Sequence, residues 1–220
     1  MRNSNMPTIT AFKASPDKGA GLARDMRIRW ALEEVGQRYE VRLVTFEDLK
    51  RKPHLDLQPF GQIPTYEDGD VSLFESGAIV LYIAQKNAGL LPDNEVARAR
   101  ALSWMFAALN TVGPPIVERE YVKYYEADKS WQAERFEMVD VRIRKRLDQL
   151  ATALGGKDWL AGTFSAADIL MVHAIRRLEG SGILEDYQVF MDYIARAEAR
   201  PAYKRAFADQ LEVFQNATSS

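Results

Sequence analysis

The chain has 220 residues, of which 47% are hydrophobic and 27% are charged, with a formal net charge of −2 at pH 7. This length gives one large or two small domains, and the near-neutral charge without a sustained basic stripe argues against a nucleic-acid partner. The absence of cysteine excludes disulfides, thiolate metal sites and a cysteine nucleophile. No segment approaches the roughly 18 apolar residues of a membrane span, so we expect a cytoplasmic protein with no metal and no membrane partner.

The first 87 residues alternate between strand and helix patterns. Period-two alternation predicts strands, and apolar residues spaced three and four apart predict helices. The predicted strands are 8–13, 39–44, 65–67 and 72–74, and the predicted helices are 22–35 and 75–86. Between them, Pro53 is expected to interrupt a weak helix or loop over 48–57. The resulting order, β-α-β-α-β-β-α, is of the thioredoxin-like type.

From residue 88 the pattern changes to a linker over 88–94 and then to helical periodicity alone. The predicted helices are 95–112, 116–126, 130–154, 165–178, 187–199 and 201–214, with a break at 110–115. Ser165 and Asp168 predict a capping box at the start of one of these helices. The sequence therefore predicts an α/β domain over 1–87 followed by an all-helical domain over 95–220.

The most informative segment lies between the two predicted β-strands and the helix that follows them. It reads Gln-Ile-Pro-Thr at 62–65, Glu-Asp-Gly at 67–69 and Leu-Phe-Glu-Ser-Gly-Ala-Ile at 73–79. Pro64 keeps Ile63 extended, which leaves the N–H and C=O of Ile63 free to pair with an extended peptide. Glu75 and Ser76 lie at a helix N-terminus, where bare N–H groups and a partial positive charge favour a carboxylate. Together these features predict a site for a small acidic peptide.

These motifs, in this order and spacing, resemble the glutathione-binding half of the cytosolic glutathione transferases, with most similarity to a bacterial eta-like branch. In that family the proline is cis and the Glu-Ser pair holds the γ-glutamyl end of glutathione. A thioredoxin-like domain followed by an all-helical domain is the family plan, so the resemblance covers nearly the whole chain. It implies glutathione as co-substrate, a small hydrophobic electrophile and a homodimer. The cluster Trp104-Met105-Phe106 supports the homodimer, because it is larger than one core face needs.

The resemblance assigns most of the glutathione contacts to the segment around the proline motif. Relatives bind the glycyl carboxylate through side chains just before this motif, and a glutamine contacts the cysteinyl-glycine backbone. The implied glutathione-binding residues are Lys52, His54, Gln62, Ile63, Pro64, Glu75 and Ser76.

The sequence leaves the group that activates the thiol open. Lowering a thiol pKa by about 2 units needs roughly 2.7 kcal/mol, which one or two charge-assisted hydrogen bonds supply. Relatives use Tyr, Ser or Cys near the end of the first strand, and Ser15, close to Phe12, is the hydroxyl in that window. Counting back from the end of the first helix instead puts Arg24 at the sulfur. The alternative for Ser15 is a structural role as a turn residue before Pro16. The alternative for Arg24 is a salt bridge to Asp17, Asp25 or Glu33.

The electrophile is expected to face the helical domain. Its predicted apolar walls are Phe12, Pro114, Val117 and Tyr121, whereas core packing suits Met105 better. Of the pair Arg176-Arg177, Arg177 is a candidate to reach the sulfur, and an exposed pair is the alternative. His173 on the same helix is expected to be a core histidine.

Three functions fit these residues. The first is a glutathione transferase acting on small apolar electrophiles, with glutathione-dependent hydroperoxide reduction as a further activity. The second is a non-catalytic glutathione-binding or dimerisation module, since this fold is reused for interaction. The third is a glutathione-dependent isomerase or dehalogenase. The intact segments around Ile63-Pro64 and Glu75-Ser76 favour the first.

Overall fold

The computed structural model describes residues 6–219. The chain packs as two compact units. The first contains the described residues up to Leu90 together with those from Ala199 onward, and the second is Leu91–Glu198.

The first unit is built on a four-stranded mixed sheet with the order β2-β1-β3-β4. Strand β1 pairs in parallel with β2 and antiparallel with β3, which pairs antiparallel with β4. The elements are β1 (Thr8–Phe12), α1 (Asp25–Glu34), β2 (Glu40–Val44), α2 (Lys52–Leu55), β3 (Thr65–Asp68), β4 (Val71–Phe74) and α3 (Ser76–Lys86). This order confirms the predicted thioredoxin-like domain.

The predicted interruption at Pro53 is wrong. A 3-10 turn over Asp48–Lys50 is followed by the short helix α2, and Pro53 lies in its first turn. A proline is tolerated there because the first N–H groups of a helix have no intrahelical acceptor.

The second unit is helical throughout its regular elements. They are α4 (Glu95–Ala107), α5 (Gly113–Tyr125), α6 (Gln132–Leu154), α7 (Ala166–Ile175) and α8 (Gln188–Glu198). The predicted break at 110–115 is a π-helical turn over Ala108–Val112 that leads directly into α5. Pro114 and Pro115 lie at the start of α5, where they do not remove a needed hydrogen bond.

Helix α7 forms the core of the second unit, and all ten of its residues are buried. The predicted capping box is confirmed: Ser165 Oγ accepts from Ala167 N at 3.3 Å, and Asp168 Oδ2 accepts from Ser165 N at 2.9 Å. The other carboxylate oxygen of Asp168 accepts from Leu160 N at 3.0 Å and from the Tyr193 hydroxyl at 2.7 Å. His173 is 2% exposed, as expected for a core histidine.

Several arginines of the second unit are engaged in ion pairs. Arg176 is buried and lies 2.7 Å from Glu198, and Arg177 Nε lies 3.3 Å from Glu120. The alternative of an exposed Arg176-Arg177 pair is therefore wrong. In the basic run 142–146, Arg142 and Arg144 pair with acidic side chains at 2.7 Å, so this run is an ion-paired helix face.

The last helix, α9 (Pro201–Thr218), packs against α1 and belongs to the first unit. Arg200 binds Glu34 through two hydrogen bonds of 2.6 and 2.7 Å, and Gln210 Nε2 donates to Asp25 Oδ2 at 2.9 Å. The sequence placed this segment in the helical domain of 95–220. The domain bounds stay a prediction. The packing of α9 on α1 involves acidic side chains of α1 that helical periodicity alone does not assign to a partner.

Candidate functional site

The peptide bond between Ile63 and Pro64 is cis, as the resemblance implied. Ile63 is 7% exposed and packs with Val44, Leu49 and Phe12. Within residues 6–219, its backbone N–H and C=O make no hydrogen bond. Buried backbone groups are nearly always paired, so a residue in this position is suited to pair with the backbone of a bound peptide.

Glu75 has an unusual backbone conformation at the start of α3. Its φ is 68°, in the left-handed region that disfavours side chains other than glycine. Its side chain is exposed and, among the described residues, makes neither a hydrogen bond nor an ion pair. A strained residue whose side chain supports nothing in the fold is typical of a binding site.

Ser76, the first residue of α3, is buried and held by a residue that the sequence analysis did not identify. Arg27 Nη1 on α1 donates to Ser76 Oγ at 3.0 Å, and Arg27 is 8% exposed. A buried guanidinium beside this helix N-terminus adds positive charge at the place predicted for the γ-glutamyl carboxylate. Arg27 lies three residues after Arg24, so the spacing on α1 was the available signal.

Gln62 joins two other predicted residues. Arg24 Nη1 donates to Gln62 Oε1 at 3.3 Å, and His54 Nε2 lies 2.8 Å from the backbone oxygen of Gln62. None of the three predicted salt-bridge partners of Arg24 holds it: Asp25 pairs with Arg29 at 2.9 Å, for example. The guanidinium of Arg24 and the chain preceding Pro64 are therefore connected through one side chain.

Lys52 and His54 differ in exposure. The ammonium group of Lys52 lies 2.7 Å from Asp56 and its side chain is 84% exposed, whereas His54 is 6% exposed. Because His54 Nε2 contacts the Gln62 carbonyl, His54 supports the chain before Pro64. Their predicted contact with the glycyl carboxylate stays a prediction.

The loop between β1 and α1 contains a carboxylate that organises its backbone. Asp17 accepts hydrogen bonds from Gly19 N at 3.2 Å, from Leu22 N at 2.5 Å and from Ala23 N at 3.0 Å. In the same loop Ser15 is 7% exposed, and its Oγ makes no hydrogen bond to any described residue. The sequence analysis considered Asp17 only as a partner of Arg24, and its role here was missed.

The predicted electrophile residues fall in both units. In the first, Phe12 is half-buried and its ring lies 4.6 Å from that of Phe46. In the second, Pro114, Val117 and Tyr121 lie on one exposed face of α5, because they are three and four residues apart. Met105 is 3% exposed, which confirms its role in core packing.

A cavity of about 640 Å³ lies elsewhere in the first unit, next to α1, the start of β2 and α9. Its walls include Arg29, Tyr39 and Asp209. Burial raises the pKa of the Tyr39 phenol, which donates to Asp209 at 3.2 Å. None of the residues predicted to bind glutathione or its sulfur lines this cavity.

Two features are absent from residues 6–219. No group of three or more His, Asp or Glu side chains is arranged to hold a metal ion. No described helix combines the length and hydropathy required to cross a bilayer.

Comparison with known proteins identifies the family. The family models of the glutathione S-transferase N-terminal and C-terminal domains match residues 19–85 and 119–209, together more than half of the chain. A glutathione S-transferase of Hyoscyamus muticus is 30% identical over 197 residues, which cover 82% of this chain and 91% of that protein. The glutathione S-transferase-like protein OpS6 of Beauveria bassiana is 27% identical over 193 residues, covering 83% and 88%.

Solved structures of glutathione transferases have the same fold as this chain. A glutathione transferase family member of Pseudomonas fluorescens, with two glutathione bound, superposes with a TM-score of 0.81 over 94% of both chains at 24% identity. A Pseudomonas putida glutathione transferase with one glutathione disulfide bound per subunit gives 0.80 at 22% identity, over 94% of this chain and 93% of that one. This chain belongs to the glutathione S-transferase family. The bacterial eta-like branch stays a prediction.

Proposed function

We propose that this protein binds glutathione and adds its thiolate to small apolar electrophiles. The conformation of Glu75 carries the proposal: a φ of 68° is maintained at a side chain that supports nothing else among the described residues. The unpaired backbone of Ile63 would pair with the cysteinyl backbone of glutathione. The hydroxyl of Ser76, held by Arg27, would bind the carboxylate at the γ-glutamyl end. These groups fit a peptide with an extended backbone and a carboxylate.

Activation of the thiol is assigned to Ser15 and Arg24 together, with Ser15 as the closer donor. Ser15 Oγ is a buried hydroxyl without a partner among the described residues, and a thiolate is an acceptor for its proton. Arg24, oriented through Gln62, adds a positive charge that favours the thiolate over the thiol. Arg177 of the helical unit and Phe12 at the end of β1 are further candidates near the sulfur.

The test is a titration of the bound thiol followed by ultraviolet absorbance of the thiolate. We expect Ser15→Ala and Arg24→Ala each to raise the pKa of bound glutathione by about 0.5–1 unit, which lowers turnover about three- to tenfold below that pKa. Glutathione affinity should change little, because these bonds strengthen as charge develops on sulfur. Arg24→Lys should recover only part of the loss, since a point charge does not reproduce a forked donor.

Lys13→Ala provides the control, because Lys13 is an exposed cation in the same loop whose side chain makes neither a hydrogen bond nor an ion pair among the described residues. It should leave the thiol pKa unchanged. If neither Ser15→Ala nor Arg24→Ala moves the pKa by more than about 0.2 unit, both assignments are refuted. The donor would then be a backbone N–H, a water or Arg177.

Hydroperoxide reduction is the second activity we propose. Two glutathione molecules reduce one hydroperoxide to its alcohol and water, and their sulfurs join as glutathione disulfide. Tyr and Cys are the usual strong donors to the sulfur, and the segment between β1 and α1 contains neither of them. This absence favours hydroperoxide reduction as an activity. Turnover of either substrate class excludes the alternative of a non-catalytic glutathione-binding or dimerisation module.

We also propose a homodimer, because the exposed apolar surface of α4 is not used by its own unit. Within the cluster Trp104-Met105-Phe106, Met105 is buried but Phe106 is 58% exposed. Light scattering is expected to give twice the 25.0 kDa of one chain. Phe106→Arg should shift the mass towards one chain, whereas Phe106→Leu should keep the dimer. A wild-type mass of one chain at micromolar concentration would contradict the proposal.

A further inference from the structure

The loop that carries Ser15 is packed against the C-terminal helix α9. Gly19 is buried with a φ of 79°, and a Cβ built on it would lie 2.8 Å from Leu211 Cδ1 and 3.3 Å from Phe214 Cδ1. Gly19 is therefore packed directly against two side chains of α9, and a larger residue at this position would require those side chains to shift. Gly19 is also one of the three N–H donors to Asp17, so the contact reaches the carboxylate that organises the loop.

A second contact from α9 reaches the other end of the same segment. Gln210 is 5% exposed and donates to Asp25 Oδ2 at 2.9 Å, and Asp25 directly follows Arg24. Asp25 Oδ2 also accepts from Arg29 Nε of the same helix at 2.9 Å, so one carboxylate oxygen joins the first turn of α1 to both Arg29 and α9. Between Gly19 and Asp25, the N–H groups of Leu22 and Ala23 are held by Asp17.

We propose that α9 is a positioning element for thiol activation, in which Leu211, Phe214 and Gln210 hold residues 15–25 in the conformation that presents Ser15 and Arg24 to the sulfur. This inference rests on the proposed role of Ser15 and Arg24. The three side chains contact Gly19 and Asp25, which precede and follow the segment that holds Arg24. They act through Gly19 and Asp25, because a hydrogen bond to sulfur depends on placing its donor within a few tenths of an ångström.

The first experiment measures amide hydrogen exchange in the loop of the protein without any ligand. Hydrogen exchange of the backbone amides of Leu22 and Ala23 is expected to be faster in Phe214→Ala and Leu211→Ala than in the wild type, because the loop loses its support. Phe207→Ala is the matched control. Phe207 is a half-buried aromatic residue two helical turns before Phe214, where it stacks on Tyr203 with a centroid distance of 6.1 Å. Its removal should leave both amides unchanged.

The second experiment measures the pKa of bound glutathione. Phe214→Ala and Leu211→Ala should each raise it by about 0.5 unit, which lowers turnover about threefold below that pKa, with the Kd for glutathione nearly unchanged. Leu211→Met, which nearly keeps the side-chain volume, should leave the pKa of the bound thiol at its wild-type value. Phe214 lies in the last two turns of α9, so its variant remains informative if Leu211→Ala does not fold.

The outcomes separate the inference from the proposed function. Folded variants whose amide exchange and thiol pKa both equal those of the wild type would overturn the positioning role of α9. An equal effect of Phe207→Ala would also overturn it, because the helix would then act by general packing. A wild-type protein that does not bind glutathione would overturn the proposed function, while the exchange experiment would still report the contact between α9 and the loop.

Discussion

Replacing Ser76 by alanine is expected to weaken glutathione binding by about 1–3 kcal/mol, which corresponds to about a 5- to 150-fold increase in Kd. The Ser76 hydroxyl is the acceptor of the Arg27 guanidinium, and it lies at a helix N-terminus that favours a carboxylate. The substitution removes the proposed contact between Ser76 and glutathione, and it also removes this acceptor from the buried Arg27 guanidinium. Isothermal calorimetry measures the change. Ser72→Ala is the control, because Ser72 is an exposed serine on β4 four residues away.

Arg27 and Glu75 test two parts of this prediction separately. If Arg27 acts through Ser76, the effects of Arg27→Ala and Ser76→Ala on binding should be less than additive in the double variant. Glu75→Gly should also lose affinity, yet it should raise the free energy of unfolding by about 1 kcal/mol, since glycine relieves the left-handed φ. Unchanged affinity in both Ser76→Ala and Glu75→Gly would refute the assignment of the γ-glutamyl site.

Replacing Asp168 by alanine is expected to lower the free energy of unfolding by about 3–5 kcal/mol, since a buried polar group left without a partner costs about 1–3 kcal/mol. The carboxylate accepts hydrogen bonds from two backbone N–H groups, of Leu160 and Ser165, and from the hydroxyl groups of Ser165 and Tyr193. Burial raises the pKa of the Asp168 carboxyl, whereas these donors act in the opposite direction. Alanine removes the buried carboxylate but leaves these four donors without that acceptor inside the second unit.

Denaturant unfolding measures this loss. Asp192→Ala provides the control, because Asp192 is exposed on α8 and accepts only a surface hydrogen bond from Gln188. Its effect should stay within about 0.5 kcal/mol. A loss of less than about 1 kcal/mol for Asp168→Ala would show that water satisfies the four donors and that the capping box contributes little.

Local sequence rules were sufficient where the responsible interaction is local. The alternation at β1, the helical spacing at α7 and the pair Ser165-Asp168 each depend on neighbours within four residues, and all three were predicted correctly. The prediction at Pro53 was wrong, because a proline breaks a helix only in its interior. Pro53 lies in the first turn of α2, and its position relative to the helix start was not known from the residue itself.

The candidate site combines local and tertiary features in the same way. The sequence by itself determined the motif from Gln62 to Ile79, because backbone features such as an X-Pro bond and a helix N-terminus are coded by adjacent residues. Only the tertiary structure showed that Arg27 holds Ser76 across 49 positions of sequence, that Gln62 joins Arg24 to His54, and that α9 supports the loop at Gly19. These contacts depend on packing between distant elements, which periodicity and spacing along the chain do not specify.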